Sequence, residues 1–469
     1  MTMTRPNLLL IIADQWRADA LGFVGGDPVH TPNLDALAAR GRVLVEATST
    51  YPVCSPCRAM LLSGAYPWVN GVPLNTNSHT GPMGVALRRD IRCWSDVLAD
   101  EGYHLGWIGK WHLDPPDEVD MLVGEGVRED GKVWDGWTPP EGRHGFDFWY
   151  SYGACDKHLE PHYWLADSLQ TEPVRVQEWS PRHEAGIAID FLDAAAAAAR
   201  DEGTPFGLVW SINPPHQPFD EVPDEYFAHT RDLTADDLLV RPNVPADPAL
   251  REEAAKAARG YFAAIRGVDE QVGRVLDHLD ASGLAENTIV IFTSDHGMQL
   301  GSHGLMYKNV PYDESMRVPM IIAWPGTLRP GTDSVLMGSA ELAPTLLGLL
   351  GVDDVPDHMV GVDLTAHLRD EPDAVTPTES LYLRVDGTVQ RGDVRGLRTH
   401  TRKLAITAAD GERTVELWDR EADPYERIEV AAERPDEVDA LTDRLRTVLT
   451  QLKDPLVGDL LGEGASRVG

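Results

Sequence analysis

Four largely apolar runs constrain the fold of this chain more than any other feature of its sequence. They span Asn7–Ala13, Tyr103–Ile108, Phe206–Ile212 and Thr288–Thr293. Runs of this length without polar alternation are typical of strands that are buried on both faces of a parallel sheet. The rest of the chain must therefore supply helices that cover both faces.

Segments with helical periodicity alternate with these runs. The first begins at Thr31 and Pro32, where the threonine can cap the helix and the proline suits its first turn. Others lie around residues 94–99, in the alanine-rich stretch that ends near Arg200, and through residues 268–279. This alternation predicts an α/β fold in which a mixed, mostly parallel sheet is sandwiched by helices.

Each apolar run ends in polar residues that can bind ligands or take part in catalysis. They are Asp14 and Gln15, Lys110 and His112, His216, and Asp295 and His296. In open α/β sheets, ligands bind beyond the carboxyl ends of the strands. We therefore expect all these side chains at one edge of the sheet, in one active site.

Several of these residues are good ligands for a metal ion. Asp14 and Asp295 offer hard carboxylate oxygens, and Gln15, His296 and Cys54 could complete the coordination of a divalent cation. A single aspartate after a strand could instead cap the next helix. The two aspartates together, with a histidine beside one of them, favour the cation site.

The segment Cys54–Arg58 reads Cys-Ser-Pro-Cys-Arg and continues into an apolar helical stretch. On a helix, Arg58 lies one turn after Cys54 and on the same face. Lys110 and His112 alternate, so in an extended segment both side chains would lie on one face. The pair Cys54 and Cys57 also permits a thioredoxin-like redox interpretation, although that motif belongs to a much shorter βαβ chain.

These motifs resemble those of the type I sulfatases, which belong to the alkaline phosphatase superfamily. The resemblance rests on Cys54–Arg58, Gly109–Leu113, His216 after Pro215, Asp295–Gly297 with Lys308, Arg317–Gly326 and Leu417–Glu426. It implies an alkaline-phosphatase-like catalytic domain, placed at residues 1–375, and a small C-terminal antiparallel-sheet subdomain at residues 376–469. Short strand patterns between Ser380 and Trp418, followed by a helical pattern, agree with that subdomain.

The resemblance implies a role for each of these residues. Cys54 would be converted to formylglycine by a formylglycine-generating enzyme, and the hydrate of that aldehyde would attack the sulfur of a sulfate ester. Asp14, Gln15, Asp295 and His296 would hold a divalent cation, usually Ca²⁺, with Mn²⁺ admitted by the imidazole ligand. Arg58, Lys110 and Lys308 would stabilise anionic oxygens, His216 with Lys308 would protonate the leaving alcohol, and His112 would help to release sulfate.

Two departures from the usual sulfatase pattern leave a second activity open. Many sulfatases have Asp-Asp after the first strand and Asp-Asn later, whereas this chain has Asp14-Gln15 and Asp295-His296. Phosphonate monoester and phosphodiester hydrolases of the same superfamily resemble this pattern, including the opening Asp14–Arg17. Those hydrolases are therefore the main alternative.

Other segments resemble carbohydrate exosulfatases, in particular enzymes that act on N-acetylglucosamine-6-sulfate. The similar stretches are Trp68–Asp96 and Arg143–Trp149. An aromatic-rich insertion at residues 113–181 interrupts the strand–helix alternation, and it could contact a sugar near the site or pack a small core of its own. The substrate-binding candidates are Asn75, Asn77, His158, His162 and His303.

The formal net charge of −34 argues against several kinds of partner. It should repel nucleic acid, anionic membrane surfaces and long sulfated polymers, and it favours a small or singly sulfated substrate. The first apolar run is too short for a signal peptide and the sequence has no membrane-span pattern, so we expect a cytoplasmic protein. Four cysteines in a chain of this length do not indicate a disulfide framework. The oligomeric state is left open.

Overall fold

A computed structural model describes residues 5–123, 131–385, 392–409 and 411–461. The strands are β1 (Asn7–Ala13), β2 (Arg42–Ala47), β3 (His104–Lys110), β4 (Phe148–Tyr152), β5 (His162–Leu165), β6 (Val174–Arg175), β7 (Phe206–Ile212), β8 (Thr288–Ser294), β9 (Met320–Ala323), β10 (Gly331–Met337), β11 (Ser380–Arg384), β12 (Asp393–Arg398), β13 (Arg402–Ala409) and β14 (Glu412–Asp419). The α-helices are α1 (Pro32–Arg40), α2 (Cys54–Ser63), α3 (Pro67–Asn70), α4 (Trp94–Asp100), α5 (Glu118–Val123), α6 (Ser180–Asp201), α7 (Ala235–Leu238), α8 (Pro248–Ala281), α9 (Asp313–Met316), α10 (Leu342–Leu349), α11 (Thr365–Leu368), α12 (Pro435–Gln451) and α13 (Val457–Leu461).

Ten of the strands form one large sheet, in the order β10-β2-β9-β8-β1-β7-β3-β4-β5-β6. Strand β1 lies near its centre and pairs in parallel with β7 and β8, and β7 pairs in parallel with β3. These four strands are the apolar runs of the sequence, so their carboxyl ends meet at one edge. Antiparallel pairing by β9, β5 and β6 makes the sheet mixed but mostly parallel, as predicted.

Helices cover both faces of the large sheet, as the continuous apolar runs require. Alternate residues of β1 enter different cores: Leu9 and Ile11 pack with α1, α6 and α8, whereas Leu8 and Ile12 pack with α2, α4 and α10. Because both faces of β1 are buried along its whole length, a charged residue within the strand would have no access to water. The first position open to a polar ligand is therefore Asp14, immediately after the strand.

The described part of residues 113–181 extends the large sheet. Strands β4, β5 and β6 continue it beyond β3, and Tyr150 and Tyr163 join the same core as α6 and α8. The strand–helix alternation stops here because antiparallel neighbours such as β4 and β5 need no crossover helix. Of the two alternatives for this segment, the structure therefore disfavours a small core of its own for the described residues.

The amino end of α1 is capped differently from the sequence prediction. The Thr31 hydroxyl makes no capping hydrogen bond to α1; it accepts from the N–H of Gly22 and donates to Asp35. Asp269 of α8 accepts the N–H of Leu34 at 2.8 Å and takes over that role. A long-range carboxylate therefore replaces the local cap.

Strands β11–β14 form a separate antiparallel sheet, in agreement with the predicted C-terminal subdomain. Its apolar side chains pack on Tyr51, which precedes α2, and on Met60, which lies in α2. The buried Lys403 of β13 also forms ion pairs with Asp313 and Glu426. The C-terminal sheet therefore supports α2. The boundary at residue 375 stays a prediction, and residues 462–469 lie outside the described residues.

Within the described ranges, we find no helix with the length and apolar character needed to span a bilayer.

Candidate active site

The carboxyl ends of β1, β3, β7 and β8 form the edge at which the candidate active site lies. Strands β3 and β7 approach so closely there that a Cβ atom on Gly109 would lie 2.2 Å from the carbonyl oxygen of Ser211. Gly109 also has a φ of 91°, a conformation that glycine adopts readily. Glycine at this position therefore brings Lys110 and the end of β7 together.

Four buried side chains from three segments meet at this edge. Asp14 follows β1, Asp295 and His296 follow β8, and Cys54 is the first residue of α2. The Sγ atom of Cys54 lies 3.2 Å from Nε2 of His296 and 3.7 Å from Oδ1 of Asp14. The same Nε2 atom lies 3.5 Å from Oδ1 of Asp14 and 3.6 Å from Oδ1 of Asp295. We call these four residues the tetrad.

The spacing of the tetrad fits a divalent cation. Oxygen ligands lie about 2.3–2.6 Å from Ca²⁺, so two ligands at a right angle are about 3.3–3.7 Å apart. Nδ1 of His296 donates to the carbonyl oxygen of Gly297 at 3.0 Å, which leaves the Nε2 lone pair for the tetrad. Burial, together with nearby Lys308, lowers the pKa of His296 to about 4, so the ring is neutral at pH 7 and able to ligate.

Two buried cations bind the other oxygens of the same carboxylates. Lys110 donates to Oδ2 of Asp14 at 2.7 Å, and Arg58 donates to Oδ2 of Asp295 at 2.9 Å and of Asp14 at 3.3 Å. Burial alone would raise the pKa of Asp14, but the positive charges around it, Lys110 foremost, hold that pKa well below its ordinary value. Asp14 is therefore ionised, and each aspartate keeps Oδ1 for the tetrad.

Gln15 contributes its backbone to the tetrad and its side chain to another contact. Its N–H donates to Oδ1 of Asp295 at 3.1 Å, while its carboxamide oxygen accepts from Lys308 at 2.6 Å. Its φ of 69° is uncommon for a residue other than glycine, and such conformations cluster at functional sites. The metal-ligand role of Gln15 would require its oxygen to leave Lys308, so this role stays a prediction.

His112 and His216 follow the ends of β3 and β7. Strand β3 ends at Lys110 and His112 has a φ of 56°, so the segment is not extended and the argument that placed both side chains on one face was wrong. His112 donates from Nε2 to the carbonyl oxygen of Thr76 at 3.1 Å. His216 donates from Nδ1 to the carbonyl oxygen of Gln217 at 2.8 Å. Their roles in proton transfer stay predictions.

Three histidines predicted to bind substrate have packing roles in the structure. His158 is buried and donates to the backbone oxygen of His216, His162 is buried against Asp135, and His303 stacks on Tyr312 with ring centroids 3.6 Å apart. A ring that is buried or stacked in this way has little surface to offer a sugar. These contacts do not support the three substrate-binding assignments, which stay predictions.

The two predicted asparagines shape the backbone near Cys54. Asn77 accepts hydrogen bonds from the N–H groups of His79 and Thr80 and so forms a turn, and its contact with substrate stays a prediction. Asn75 accepts from the N–H of Ser55 at 2.9 Å and caps the first turn of α2. Asn75 is only half-buried, and its contact with substrate stays a prediction.

The buried pair of His162 and Asp135 gives a stability prediction. The ring of His162 is 1% exposed and its Nε2 lies 2.7 Å from the Asp135 carboxylate. Burial alone would lower the pKa of His162, but the carboxylate raises that pKa from 6.5 to about 10. Because the folded-state pKa is raised, the contribution to stability is complete below pH 6.5 and is lost as the pH rises towards 10. Replacing His162 with glutamine should therefore lower Tm by about 2–5 °C at pH 6 and much less at pH 10. Thermal melts of both proteins at the two pH values test this, and a pH-independent difference would contradict it.

Sequence reasoning missed three polar residues beside the predicted site. Lys110 also donates to Asn213 at 3.1 Å, and Arg58 donates to the hydroxyl of Ser211 at 2.6 Å. Both partners lie at the carboxyl end of an apolar run, so the signal that selected His216 could have found them. The carboxylate of Asp156 lies 3.5 Å from Nδ1 of His216, but it comes from an irregular segment that gave no signal.

Cys57 does not share the environment of Cys54. Its Sγ atom lies 3.4 Å from the hydroxyl oxygen of Ser339, and burial raises the pKa of its thiol to about 12. A thiol that stays protonated is a poor nucleophile, so a thioredoxin-like exchange between Cys54 and Cys57 is disfavoured.

Comparison with known proteins identifies the family. The family profile described as Sulfatase matches residues 6–352, a range that holds the whole tetrad together with Arg58, Lys110 and Lys308. This chain belongs to the sulfatase family. A second profile, described as N-sulphoglucosamine sulphohydrolase, C-terminal, matches residues 301–455 of the sulfatase. The protein is therefore a sulfuric ester hydrolase.

Individual sulfatases are similar over almost the whole chain. An endo-4-O-sulfatase of Bacteroides thetaiotaomicron is 37% identical, with 96% of this chain and 93% of that protein aligned. An N-acetylglucosamine-6-O-sulfatase of the same species is 25% identical over 90% of this chain and 82% of its own. A crystal structure of a Bacteroides fragilis protein named as a sulfatase, yidJ, superposes with a TM-score of 0.91 at 39% identity and 98% coverage of both chains. A phosphonate monoester hydrolase of Agrobacterium radiobacter shares the fold at 23% identity, with a TM-score of 0.69 and 96% of each chain covered.

Proposed function

We propose that this sulfatase hydrolyses an O-sulfate ester of a sugar, such as N-acetylglucosamine-6-sulfate, with formylglycine made from Cys54 and a divalent cation held by the tetrad. The observation that carries the proposal is the contact of the Cys54 Sγ atom with both His296 and Asp14. In the mature enzyme that sulfur would be replaced by the reacting oxygens of the aldehyde hydrate. A nucleophile at this position would lie directly beside the cation.

The protein's own side chains would supply charge and protons around this centre. Asp14, Asp295 and His296 would hold the cation, most simply Ca²⁺ with Mn²⁺ as the alternative, and the cation would polarise a sulfate oxygen. Lys110 and Arg58 hold the carboxylates in place and add positive charge for the anionic transition state. His216 and Lys308 would deliver the proton to the leaving alcohol.

Maturation of Cys54 would have to precede the folding of this region. The residue is 2% exposed and packed at the start of α2, so a formylglycine-generating enzyme could not reach it in the folded chain. In protein from a host that has this enzyme, mass spectrometry of the tryptic peptide Val43–Arg58 should therefore show an aldehyde at position 54. An unmodified thiol in active protein would contradict the proposal.

A substrate series tests the activity against its main alternative. Sulfate release should be measured with 4-sulfated and 6-sulfated N-acetylhexosamines. Release of the alcohol should be measured with phosphate diesters and phosphonate monoesters. We expect kcat/KM for the best sulfated sugar to exceed that for any phosphorus ester by at least about 100-fold. Higher activity on the diesters or phosphonates would favour the alternative that this protein is a phosphonate monoester or phosphodiester hydrolase. The 6-sulfated sugar follows from the sequence resemblance, and the 4-sulfated one from the 37% identical relative.

A further inference from the structure

A cavity whose lining includes the sequence neighbours of His216 and Lys308 has no role in the reaction proposed above. It has a volume of about 420 Å³, within the roughly 300–1,000 Å³ typical of small-molecule sites. Its wall is formed by the segment after His216, by the first half of α8 and by the residues before Lys308. The lining includes Gln217, Phe219, Phe227, Lys256, Met306 and Tyr307.

Gln15 links the lining of the cavity to the predicted catalytic residues by hydrogen bonds. The carboxamide nitrogen of Gln15 donates to Oε1 of Gln217 at 2.8 Å, and its carboxamide oxygen accepts from Lys308 at 2.6 Å. Gln217 lines the cavity, and Lys308 directly follows the lining residue Tyr307. Gln217 in turn directly follows His216, so two lining residues adjoin in sequence the two residues that would protonate the leaving alcohol, which is the sugar.

The lining offers apolar ring faces to a ligand. Tyr307 is 53% exposed, an unusual state for a large aromatic side chain, and Phe219 and Phe227 are half-buried beside it. Three aromatic side chains grouped around one cavity form an apolar patch of the kind that marks ligand-binding sites. Flat ring faces of this kind suit the C–H face of a sugar ring, while hydroxyl groups at its edge stay near polar atoms.

The charges of the lining select the kind of sugar. Lys256 and Arg259 are balanced by Asp220 and Glu253. The guanidinium group of Arg259 is hydrogen-bonded to the backbone oxygens of Thr230 and Leu233 and keeps its positive charge. Because the two positive and two negative side chains cancel, the lining has no net positive charge with which to attract a uronate or a second sulfate. An uncharged ring would find donors and acceptors for its hydroxyl groups and no uncompensated repulsion.

We propose that this cavity binds an uncharged sugar ring joined to the sulfated ring, so that the sulfatase acts on oligosaccharides and is not restricted to single sugars. The assignment rests on the proposed function for its substrate class. It also accommodates the large negative charge of the protein, which disfavours polyanionic chains but not an oligosaccharide with a single sulfate.

Kinetics with two substrates test the proposal. They are N-acetylglucosamine-6-sulfate and triacetylchitotriose that is sulfated only at O6 of its central ring, which has an uncharged neighbour on each side. We expect the wild-type KM to be about 5–10-fold lower for the trisaccharide, because an aromatic stacking contact is worth about that factor. Tyr307→Ala should remove this advantage, with kcat for both substrates and KM for the monosaccharide changed less than two-fold.

A control variant and a binding measurement keep the outcomes separate. Tyr425→Ala removes another exposed tyrosine that does not line this cavity, and it should leave the trisaccharide KM unchanged. Saturation-transfer NMR with unsulfated triacetylchitotriose needs no turnover, and its signal should be strong with wild-type protein and at least about three-fold weaker with Tyr307→Ala. Equal KM values for the two substrates, or an NMR signal that Tyr307→Ala does not reduce, would overturn the cavity assignment. Loss of sulfate release from every sugar with the NMR result intact would overturn only the proposed function.

Discussion

Replacing Cys54 with alanine should lower kcat/KM for sulfate-ester hydrolysis by about 10⁴-fold or more, because in the proposed reaction it removes the thiol group whose conversion gives the aldehyde. The substitution removes only a small buried group, so the variant should fold. Sulfate release under conditions where wild-type turnover is readily measured gives the ratio. Circular dichroism and the thermal melt show whether the variant is folded.

Cys57→Ala is the matched control for this prediction. Cys57 lies on the same helix, is equally buried and contacts Ser339 instead of the tetrad. Its replacement should change kcat/KM by less than about three-fold, although the small cavity it leaves should cost about 1 kcal/mol of stability. Comparable losses of activity from Cys54→Ala and Cys57→Ala would support a redox pair and contradict the hydrolytic centre.

Replacing Asp295 with asparagine should be nearly as damaging, with an expected loss in kcat/KM of about 10³-fold. Asp295 offers Oδ1 to the tetrad and Oδ2 to Arg58, so the substitution weakens cation binding and removes one partner of a buried arginine. Removal of metal from the wild-type protein with a chelator should produce a similar loss, and Ca²⁺ or Mn²⁺ should restore activity. Added metal should not restore Asp295→Asn.

Thermal melts provide a readout of the cation site that does not depend on turnover. A ligand that binds only the folded state stabilises it by about 2.7 kcal/mol at 100 times Kd. The Tm of chelator-treated wild-type protein should therefore rise with added Ca²⁺ or Mn²⁺, whereas the Tm of Asp295→Asn should rise much less. Asp439→Asn, at an exposed aspartate of α12, should respond like the wild type. Equal shifts in all three proteins would place the bound metal elsewhere.

Much of the catalytic edge followed from local sequence patterns. The apolar runs at residues 7–13, 103–108, 206–212 and 288–293 correspond to the four parallel strands at the centre of the sheet. A charged residue within a strand that is buried on both faces is costly unless it is paired, so Asp14 and Asp295 were expected to follow their strands. Parallel strands place such residues at the same edge, which is why their meeting with His296 could be expected from order along the chain.

Local patterns did not predict the partners that some side chains find in distant segments. His162 was selected as an aromatic-rich loop residue, but strand β5 turns it onto Asp135, which lies 27 positions earlier. Thr31 fits the local rules for a helix cap, yet Asp269 of a distant helix supplies the contact. Local propensity is worth only about 1 kcal/mol at such positions, and a buried long-range hydrogen bond can outweigh it.

The sequence by itself determined the fold class, the edge of the sheet where chemistry can occur and the residue types available there, because hydrophobic periodicity and strand ends are local properties of the chain. Only the tertiary structure decided which oxygen of each aspartate is available, because that depends on how Arg58 and Lys110 approach Oδ2 while Oδ1 stays with His296. It also decided that the oxygen of Gln15 binds Lys308 and that a cavity lined by Tyr307 lies alongside. These contacts join residues up to about 300 positions apart, and no local pattern encodes the strand order and helix packing that bring them together.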